Sequence, residues 1–106
     1  ATYNPATASI HVPALDYESL FGTTVYSFDM QQEILGNSSS FVINQRSIRL
    51  QDDTVTAAHS TLSNGVLTIP AVEVPTVAGT IIYWLSMQNS ATAPYSFELV
   101  NYGIIE

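Results

Sequence analysis

Ser9–Tyr17 reads SIHVPALDY, and Val66–Val74, in the second half of the chain, reads VLTIPAVEV. In each stretch apolar residues alternate with other residues, and the alternation changes parity at a Pro-Ala pair. Alternation with a period of two predicts a β-strand with one buried face. Because a change of parity turns every later side chain to the other face, the strand needs one extra residue, which a β-bulge supplies. Each stretch is therefore predicted to bend at its proline, with its two halves in different sheets, as at a sandwich corner.

The two stretches belong to a longer internal repeat. When Ser9–Gln32 is laid over Val66–Asn89 without a gap, seven positions are identical and seven more are close replacements. We interpret the chain as a single domain, 1–106, built from two tandem copies of a β-motif, at 1–50 and 58–106. A unit that repeats in this way usually buries its apolar face against its neighbour. The predicted fold class is all-β, an antiparallel β-sandwich.

The alternation also predicts the core. Six side chains on the two strands that follow the Pro-Ala stretches are expected to pack together: Tyr26, Phe28, Met30, Tyr83, Leu85 and Met87. A second inward set is expected from the last strand of each copy: Phe41, Ile43, Phe97 and Leu99. Trp84 falls on the opposite face of its strand. Asn64-Gly65 predicts a tight turn before the second Pro-Ala stretch.

Charge and composition exclude several functions. The chain has 106 residues, no lysine and no cysteine, and its two cations, Arg46 and Arg49, face nine carboxylates, for a net charge of −7. Nucleic-acid binding needs a basic stripe, so no nucleic-acid partner is expected. Without cysteine there is no disulfide, thiol nucleophile or Cys-type zinc site. No membrane span is expected, because Pro70, Glu73 and Pro75 interrupt the longest apolar run.

The two histidines give no sign of catalysis. His59 and Ser60 are neighbours, but neighbours on a strand point to opposite faces. His11 is expected to be solvated, and neither histidine has a partner at metal-ligand spacing. Phosphate-binding glycine loops and the nucleophile elbow are absent from the sequence. We predict that the chain is not an enzyme, and a small hydrolase, with carboxylates assembled by the fold, is the third hypothesis.

The acidic residues suggest calcium as a cofactor. Asp52 and Asp53 form an acidic turn-like segment, and Asp16 is matched by Glu73 in the second copy. Carboxylates and backbone carbonyls are the ligands that calcium prefers, so these four residues are the candidate set. A solvated acidic surface is the alternative. Asn37 begins the sequon Asn-Ser-Ser and is a candidate glycosylation site.

Secretion is the expected localisation. The printed chain starts at Ala1 rather than at Met, as a chain cleaved behind a small residue would. The sequence is rich in serine and threonine, and a surface of hydroxyls with few charges suits an extracellular protein or one covered by its own copies. An unusual cytosolic β-domain is the alternative.

The repeat is incomplete at both ends. Two full periods of the repeat exceed the length of the chain, so we expect each terminus to lack a neighbouring strand. An unpaired edge is a template for another chain. We expect the N-terminal arm, Ala1, Thr2 and Tyr3, to pair with the last strand, with Ile104 and Ile105, of a sister molecule. A head-to-tail contact of this kind makes a filament or surface layer. Termini paired within one monomer are the alternative.

Exposed aromatic residues suggest a second function. Trp84 could join tyrosines in a platform for a glycan, or anchor a contact between copies, where Trp and Tyr are favoured. The tyrosines considered for the platform are Tyr3, Tyr17, Tyr95 and Tyr102. The runner-up hypothesis is therefore a carbohydrate-binding or adhesin module.

The spacing Ala1-x-Tyr3-x-x-x-Thr7-x-x-Ile10-x-Val12-Pro13-x-Leu15-x-Tyr17, repeated loosely as Leu67-x-Ile69-Pro70-x-Val72-x-Val74, resembles the short β-repeats of secreted microbial proteins. It is also similar to subunits of extracellular fibres made from small tandem β-motifs. The resemblance implies a secreted all-β structural protein that forms polymers of itself. It implies no catalytic residues.

Overall fold

The structure is a computed structural model that describes residues 1–20, 22–33, 39–51 and 59–105. Within these ranges the chain is all-β, as predicted, and contains no helix. Its strands are β1 (Thr2–Asn4), β2 (Ser9–Ser19), β3 (Gly22–Gln32), β4 (Ser40–Gln51), β5 (Ser60–Ser63), β6 (Val66–Thr76), β7 (Gly79–Asn89) and β8 (Ser96–Ile105).

Two long antiparallel hairpins, β2–β3 and β6–β7, form the two halves of the fold. Every cross-strand pair of the first hairpin has its counterpart at the equivalent position of the second. Ile10 lies opposite Met30, for example, and Leu67 lies opposite Met87. The hairpins thus share their bounds and register, in agreement with the sequence repeat, while the duplication itself stays a prediction.

Both hairpins contain the predicted bulge. Regular pairing stops at Val12 and resumes at Leu15 in β2, and it stops at Ile69 and resumes at Val72 in β6. The Pro-Ala pair of each strand therefore forms the irregularity. Proline has no N–H to donate to a neighbouring strand, so a bulge is a place where a paired strand tolerates it. The bend predicted from the parity change is confirmed at both positions.

At the bulge each strand changes its neighbour. β2 pairs with β1 through Ser9–His11 and with β5 through Leu15–Tyr17. β6 pairs with β5 through Val66–Thr68 and with β1 at Glu73. The eight strands form one sheet in the order β1-β2-β3-β4-β8-β7-β6-β5, and the additional β1–β6 and β2–β5 pairings are parallel and join its two ends. The two halves of each bent strand therefore have different neighbours but stay in one sheet, so the prediction of two different sheets was wrong; the bulge lets each half pair with another strand without leaving the sheet.

The sheet folds over one core that both hairpins share. The buried cluster consists of Ile10, Val12, Leu15, Phe28, Met30, Phe41, Leu67, Ile69, Val72, Leu85, Met87 and Phe97. Burying one such side chain fully contributes about 1.5–3 kcal/mol, so this cluster is the main source of stability. The predicted core is confirmed for four of its members, whereas Tyr26 and Tyr83 are only half-buried.

The two halves meet where β4 pairs with β8. Three cross-strand pairs join these strands, and Phe41 lies directly opposite Phe97. Both rings are buried, and Ile43 and Leu99 pack against the same core. The second inward set predicted from the sequence is confirmed, and the equivalent phenylalanines of the two halves face each other.

The predicted turn connects β5 to β6. Asn64 and Gly65 have φ of 53° and 77°, and the flanking residues Ser63 and Val66 are paired. Two consecutive residues in the left-handed region are the requirement of the tight hairpin turn that Asn-Gly favours.

Trp84 lies on the outer face of β7, and its partner across to β8 is Gly103. A Cβ placed on Gly103 would lie 2.5 Å from Nε1 and 2.8 Å from Cε2 of the indole ring. The ring therefore packs against the backbone of Gly103, in space that any larger residue would occupy.

We expect Gly103→Ala to lower the free energy of unfolding. Alanine in a strand normally gains about 0.5–1 kcal/mol over glycine, but overpacking costs about 1–3 kcal/mol, and at 2.5 Å the clash decides the sign. Urea unfolding measures the change. In a Trp84→Leu background, Gly103→Ala should lower the free energy of unfolding much less. An equal decrease in both backgrounds would contradict the contact between Trp84 and Gly103.

Candidate functional site

The pairing of β4 with β8 is short, and each strand continues past it. Ser40–Val42 pairs with Ser96–Glu98, and one further backbone hydrogen bond lies at each end. Because the strands are antiparallel, their second halves leave this contact in opposite directions. In the part of the chain that the structure describes, no strand pairs with the outer edges of Asn44–Gln51 and Val100–Ile105.

The open edge of β4 is irregular and charged. The strand bulges between Asn44 and Arg49, where residues 45–48 face a single residue of β3. Arg49 Nη1 donates to the carbonyl oxygens of Arg46 and Ile48, at 2.7 and 2.9 Å, so its side chain folds back over the bulge. Bulges and charged side chains are devices by which proteins prevent edge pairing. This edge is therefore poorly suited to accept another strand.

The open edge of β8 is regular and uncharged. After a one-residue bulge at Val100, the residues Asn101–Ile105 pair regularly and without interruption with β7. No charged residue lies between Leu99 and Ile105. Val100, Tyr102 and Ile104 expose 60%, 61% and 60% of their surface. An uncharged edge with exposed apolar side chains is a template for strand addition.

Tyr102 and Ile104 are exposed although they point to the core side of the sheet. Their partners on β7 are Leu85 and Tyr83, which contribute to the core, and directly opposite residues share a face. The rings of Tyr83 and Tyr102 meet edge-to-face, with centroids 6.4 Å apart. The end of β8 therefore extends past the layer that covers the rest of the core face.

Two grooves open on the core side, at equivalent positions of the two hairpins. Groove A has a volume of about 510 Å³ and groove B about 160 Å³. Four residues of β2–β3 in groove A have their register counterparts in groove B. These are Leu15, Tyr17, Tyr26 and Phe28 in groove A, and Val72, Val74, Tyr83 and Leu85 in groove B.

Groove B is the smaller because a tyrosine side chain occupies it. Tyr3 lies opposite Ile10, and Leu62 lies opposite Leu67, so Tyr3 and Leu62 hold equivalent positions in the two halves. The Tyr3 hydroxyl donates to Oε1 of Gln32 at 2.9 Å, which fixes the ring in groove B. The shorter Leu62 leaves groove A open.

Among the described residues that line groove A, three are tyrosines and none is charged. Tyr17 and Tyr26 meet edge-to-face, with ring centroids 6.4 Å apart. Asn89 Nδ2 donates to the carbonyl oxygen of Pro94 at 3.0 Å, which holds the segment that carries the third tyrosine, Tyr95. Tyrosine rings offer flat apolar faces, and their hydroxyls donate and accept hydrogen bonds. The groove therefore suits a neutral ligand with both apolar and hydroxyl surfaces.

The N-terminal arm is paired within its own chain. Thr2 and Tyr3 pair with β2, and the backbone N–H of Glu73 in β6 donates to the carbonyl oxygen of Ala1 at 2.9 Å. Ala1 and Tyr3 also pack against the core. Ala1, Thr2 and Tyr3 are thus not the open strand that the incomplete repeat predicts, because the bent strands β2 and β6 leave a place for β1 between them. Ile104, by contrast, lies on an open edge.

The other predicted contact residues lie near the same edge. Ile105 is opposite Ile82 on the outer face, and both are partly exposed. Trp84 is half-buried against Gly103, so only part of its ring is available to a glycan or to another copy. Its role in either contact stays a prediction.

The two candidate calcium ligands that the structure describes, Asp16 and Glu73, lie beside different strands. Asp52 and Asp53 lie outside the described residues, as does the sequon at Asn37. Asp16 lies opposite Thr61 of β5, whereas Glu73 lies opposite Thr2 of the N-terminal arm. Within the described ranges, no group of three acidic or histidine side chains is placed to hold a metal ion. A calcium site stays a prediction.

Both histidines contact an aspartate, which the sequence analysis missed. His11 Nδ1 lies 2.7 Å from Asp29 Oδ1, and His59 Nδ1 lies 2.6 Å from Asp16 Oδ1. His11 and Asp29 are direct partners in β2–β3, so the register of that hairpin would have revealed them. Only the parallel pairing of β2 with β5 brings His59 to Asp16. Each contact orients an imidazole ring and links neighbouring segments.

No protein-family model, no curated protein and no solved structure matches this chain. In the described part of the chain there is also no helix with the length and apolar character to cross a membrane. The open edge of β8 and groove A are thus the features from which a function is inferred.

Burial of the N-terminus predicts a pH dependence for a polypeptide that begins at Ala1. Partial burial lowers the pKa of the α-amino group below its ordinary value of 8.0, and the Glu73 carboxylate opposes part of this shift. Because the folded chain binds this proton less tightly than the unfolded chain, the group's contribution to the free energy of unfolding rises with pH up to about 8 and is constant above.

Acetylation of Ala1 isolates this effect, because it removes the charge of the α-amino group and leaves every side chain unchanged. The free energy of unfolding of the free-amine chain, minus that of the acetylated chain, should rise with pH below about 8. A difference that is flat with pH, or that falls, would contradict the burial of the amine.

Proposed function

We propose that the protein is an extracellular structural subunit that associates with copies of itself by β-strand pairing along the edge of β8. The observation that supports this most directly is the row of exposed apolar side chains, Val100, Tyr102 and Ile104, on an uncharged edge. A strand added to this edge would give its backbone groups hydrogen-bond partners and would remove the row from water. Proteins that act as monomers usually shorten or charge such an edge.

The proposal keeps the self-association predicted from the sequence but changes the surface. The predicted contact needed the N-terminal arm as the donor strand, and that arm is paired within its own chain. Pairing along the edge of β8 does not require any strand to be released from its own chain. This edge is formed by a strand that is already held by β7 along most of its length.

An extracellular setting is part of the proposal. The abundant serines and threonines, with only two cations and nine carboxylates, give a surface of hydroxyls and few charges. Such a surface leaves uncharged stretches between the carboxylates along which copies can make contact, in keeping with a subunit of an assembly.

The energies involved predict reversible association. Burying each of the three exposed side chains contributes at most about 1.5–3 kcal/mol, and bringing two molecules together costs about 4–15 kcal/mol. Because these terms are of similar size, we expect the degree of association to depend on concentration.

Sedimentation velocity tests the proposed function. The mean sedimentation coefficient of the unaltered chain should rise with concentration, and Tyr102→Lys/Ile104→Lys should remain a folded monomer, because two charges on the edge oppose pairing. Val77→Lys is the matched control, since Val77 is fully exposed in the turn between β6 and β7 and should leave association unchanged. An unaltered chain that stays monomeric at every concentration would overturn the proposal.

Groove A favours a second candidate function, the binding of a neutral saccharide. This groove has the aromatic lining expected of a glycan site, with Tyr17 and Tyr95 exposing 44% and 39% of their surface. Its volume of about 510 Å³ lies within the range of about 300–1,000 Å³ of small-ligand pockets. We therefore assign the candidate glycan platform to these tyrosines rather than to Trp84.

Isothermal titration calorimetry with a panel of neutral oligosaccharides tests this second function. We expect one class to bind, and we expect Tyr17→Ala or Tyr95→Ala to weaken it about tenfold or more through loss of a stacking face. Tyr3→Phe, which alters only groove B, is the control and should bind normally. Absence of binding across the panel, or binding that survives both alanine variants, would reject groove A as a saccharide site.

A further inference from the structure

Among the open edges of the described strands, one is both regular and longer than three residues. β1 lies between β2 and β6, and β5 lies between β6 and β2, so both short strands have neighbours on their two sides. The second half of β4 is interrupted by the bulge at 45–48 and carries Arg46 and Arg49. The edge of β8 from Asn101 to Ile105 has neither obstacle.

We propose that the edge of β8 pairs with the same edge of a second copy, antiparallel and about a two-fold axis, so that the assembly closes as a dimer. This inference rests on the proposed self-association and identifies its partner surface. A head-to-tail contact needs two different complementary surfaces on each molecule. With the N-terminal arm paired internally and β4 obstructed, a single surface that pairs with itself is the arrangement that the described edges support.

The side chains of the edge favour a two-fold axis at Gly103. With this register, Tyr102 of one copy lies opposite Ile104 of the other, and the pair occurs twice because of the symmetry. Tyr102 and Ile104 both lie on the core side of the sheet and are exposed in the single chain. Pairs of an aromatic and a β-branched residue are favourable between directly opposite positions.

Charge supports the same register. Each copy has a net charge of −7, so a contact between copies must keep carboxylates apart. No residue from Leu99 to Ile105 is charged. An axis at Gly103 pairs Asn101–Ile105 of one copy with Asn101–Ile105 of the other and leaves Glu98 outside the paired segment. Like charges directly opposite destabilise paired strands, so a paired segment without carboxylates is favourable.

Sedimentation equilibrium gives the first test of this inference. The mean mass should rise with concentration and reach a plateau at two copies. A mass that continues to rise beyond two copies would overturn the closed dimer while leaving self-association intact. A chain that is monomeric throughout would overturn the proposed function, and this inference with it.

Disulfide trapping gives the register, and the absence of native cysteine makes it specific. Directly opposite residues have Cα atoms about 4.5–5.5 Å apart, within disulfide range, whereas diagonal neighbours are about 7–8 Å apart and outside it. A mixture of Tyr102→Cys and Ile104→Cys chains should therefore oxidise to a mixed dimer at least about tenfold faster than either chain alone.

A mixture of Val77→Cys and Tyr102→Cys chains is the control for random collision. Val77 is fully exposed and lies in the turn between β6 and β7, not on the edge of β8. Mixed-dimer formation no faster than this control, in a protein that sedimentation shows to be dimeric, would overturn the β8–β8 contact. Retained melting temperatures in both cysteine variants, whose mutated side chains are exposed on the edge, confirm that the chains are folded.

Discussion

The bulge at the Pro-Ala pair of β2, and its counterpart in β6, is the constraint on which the rest of the structure depends. A parity change within a continuous strand would send half of its apolar side chains to the solvent. The bulge prevents this, so that Val12 and Leu15 both remain in the core, as do Ile69 and Val72. Because each strand bends at the bulge, its halves take different neighbours, and β1 and β5 are held between β2 and β6. The longest edges that remain open in the described part of the chain lie on β4 and β8.

The features that the sequence predicted are those set by local alternation. Val12-Pro13-Ala14-Leu15 is enough to place the bulge, and the period-two pattern is enough to place Phe28 and Met30 in the core. The partner of an edge strand is different, because it depends on residues far apart in the chain. For this reason the internal pairing of Tyr3, and the contact between His59 and Asp16, did not follow from the pattern. Alternation also places Ile104 on the core side of the sheet. Whether its side chain is buried there depends on how far the opposite strands extend, which the local pattern does not show.

The two halves share a register but differ in what they leave open. In the first half, Leu62 leaves groove A open, and the bulge with Arg49 obstructs the edge of β4. In the second half, Tyr3 occupies groove B, and the edge of β8 is regular. Tyr3 and Leu62, which hold equivalent positions in the two halves, are one of the differences between the linings of the two grooves. Each half thus presents one candidate site, a groove in the first and a strand edge in the second.

In the described part of the chain, the edge of β8 is the longest regular and uncharged edge that no strand of the same chain covers, and we propose that a second copy covers it. Hydrogen–deuterium exchange of backbone amides at several protein concentrations measures this directly. The account predicts that the paired amides of β1 and β5 are protected at every concentration, and that those of Asn101–Ile105 facing away from β7 exchange freely when dilute and slowly when concentrated. Protection of β8 that does not change with concentration, or protection that appears first in β1, would contradict it.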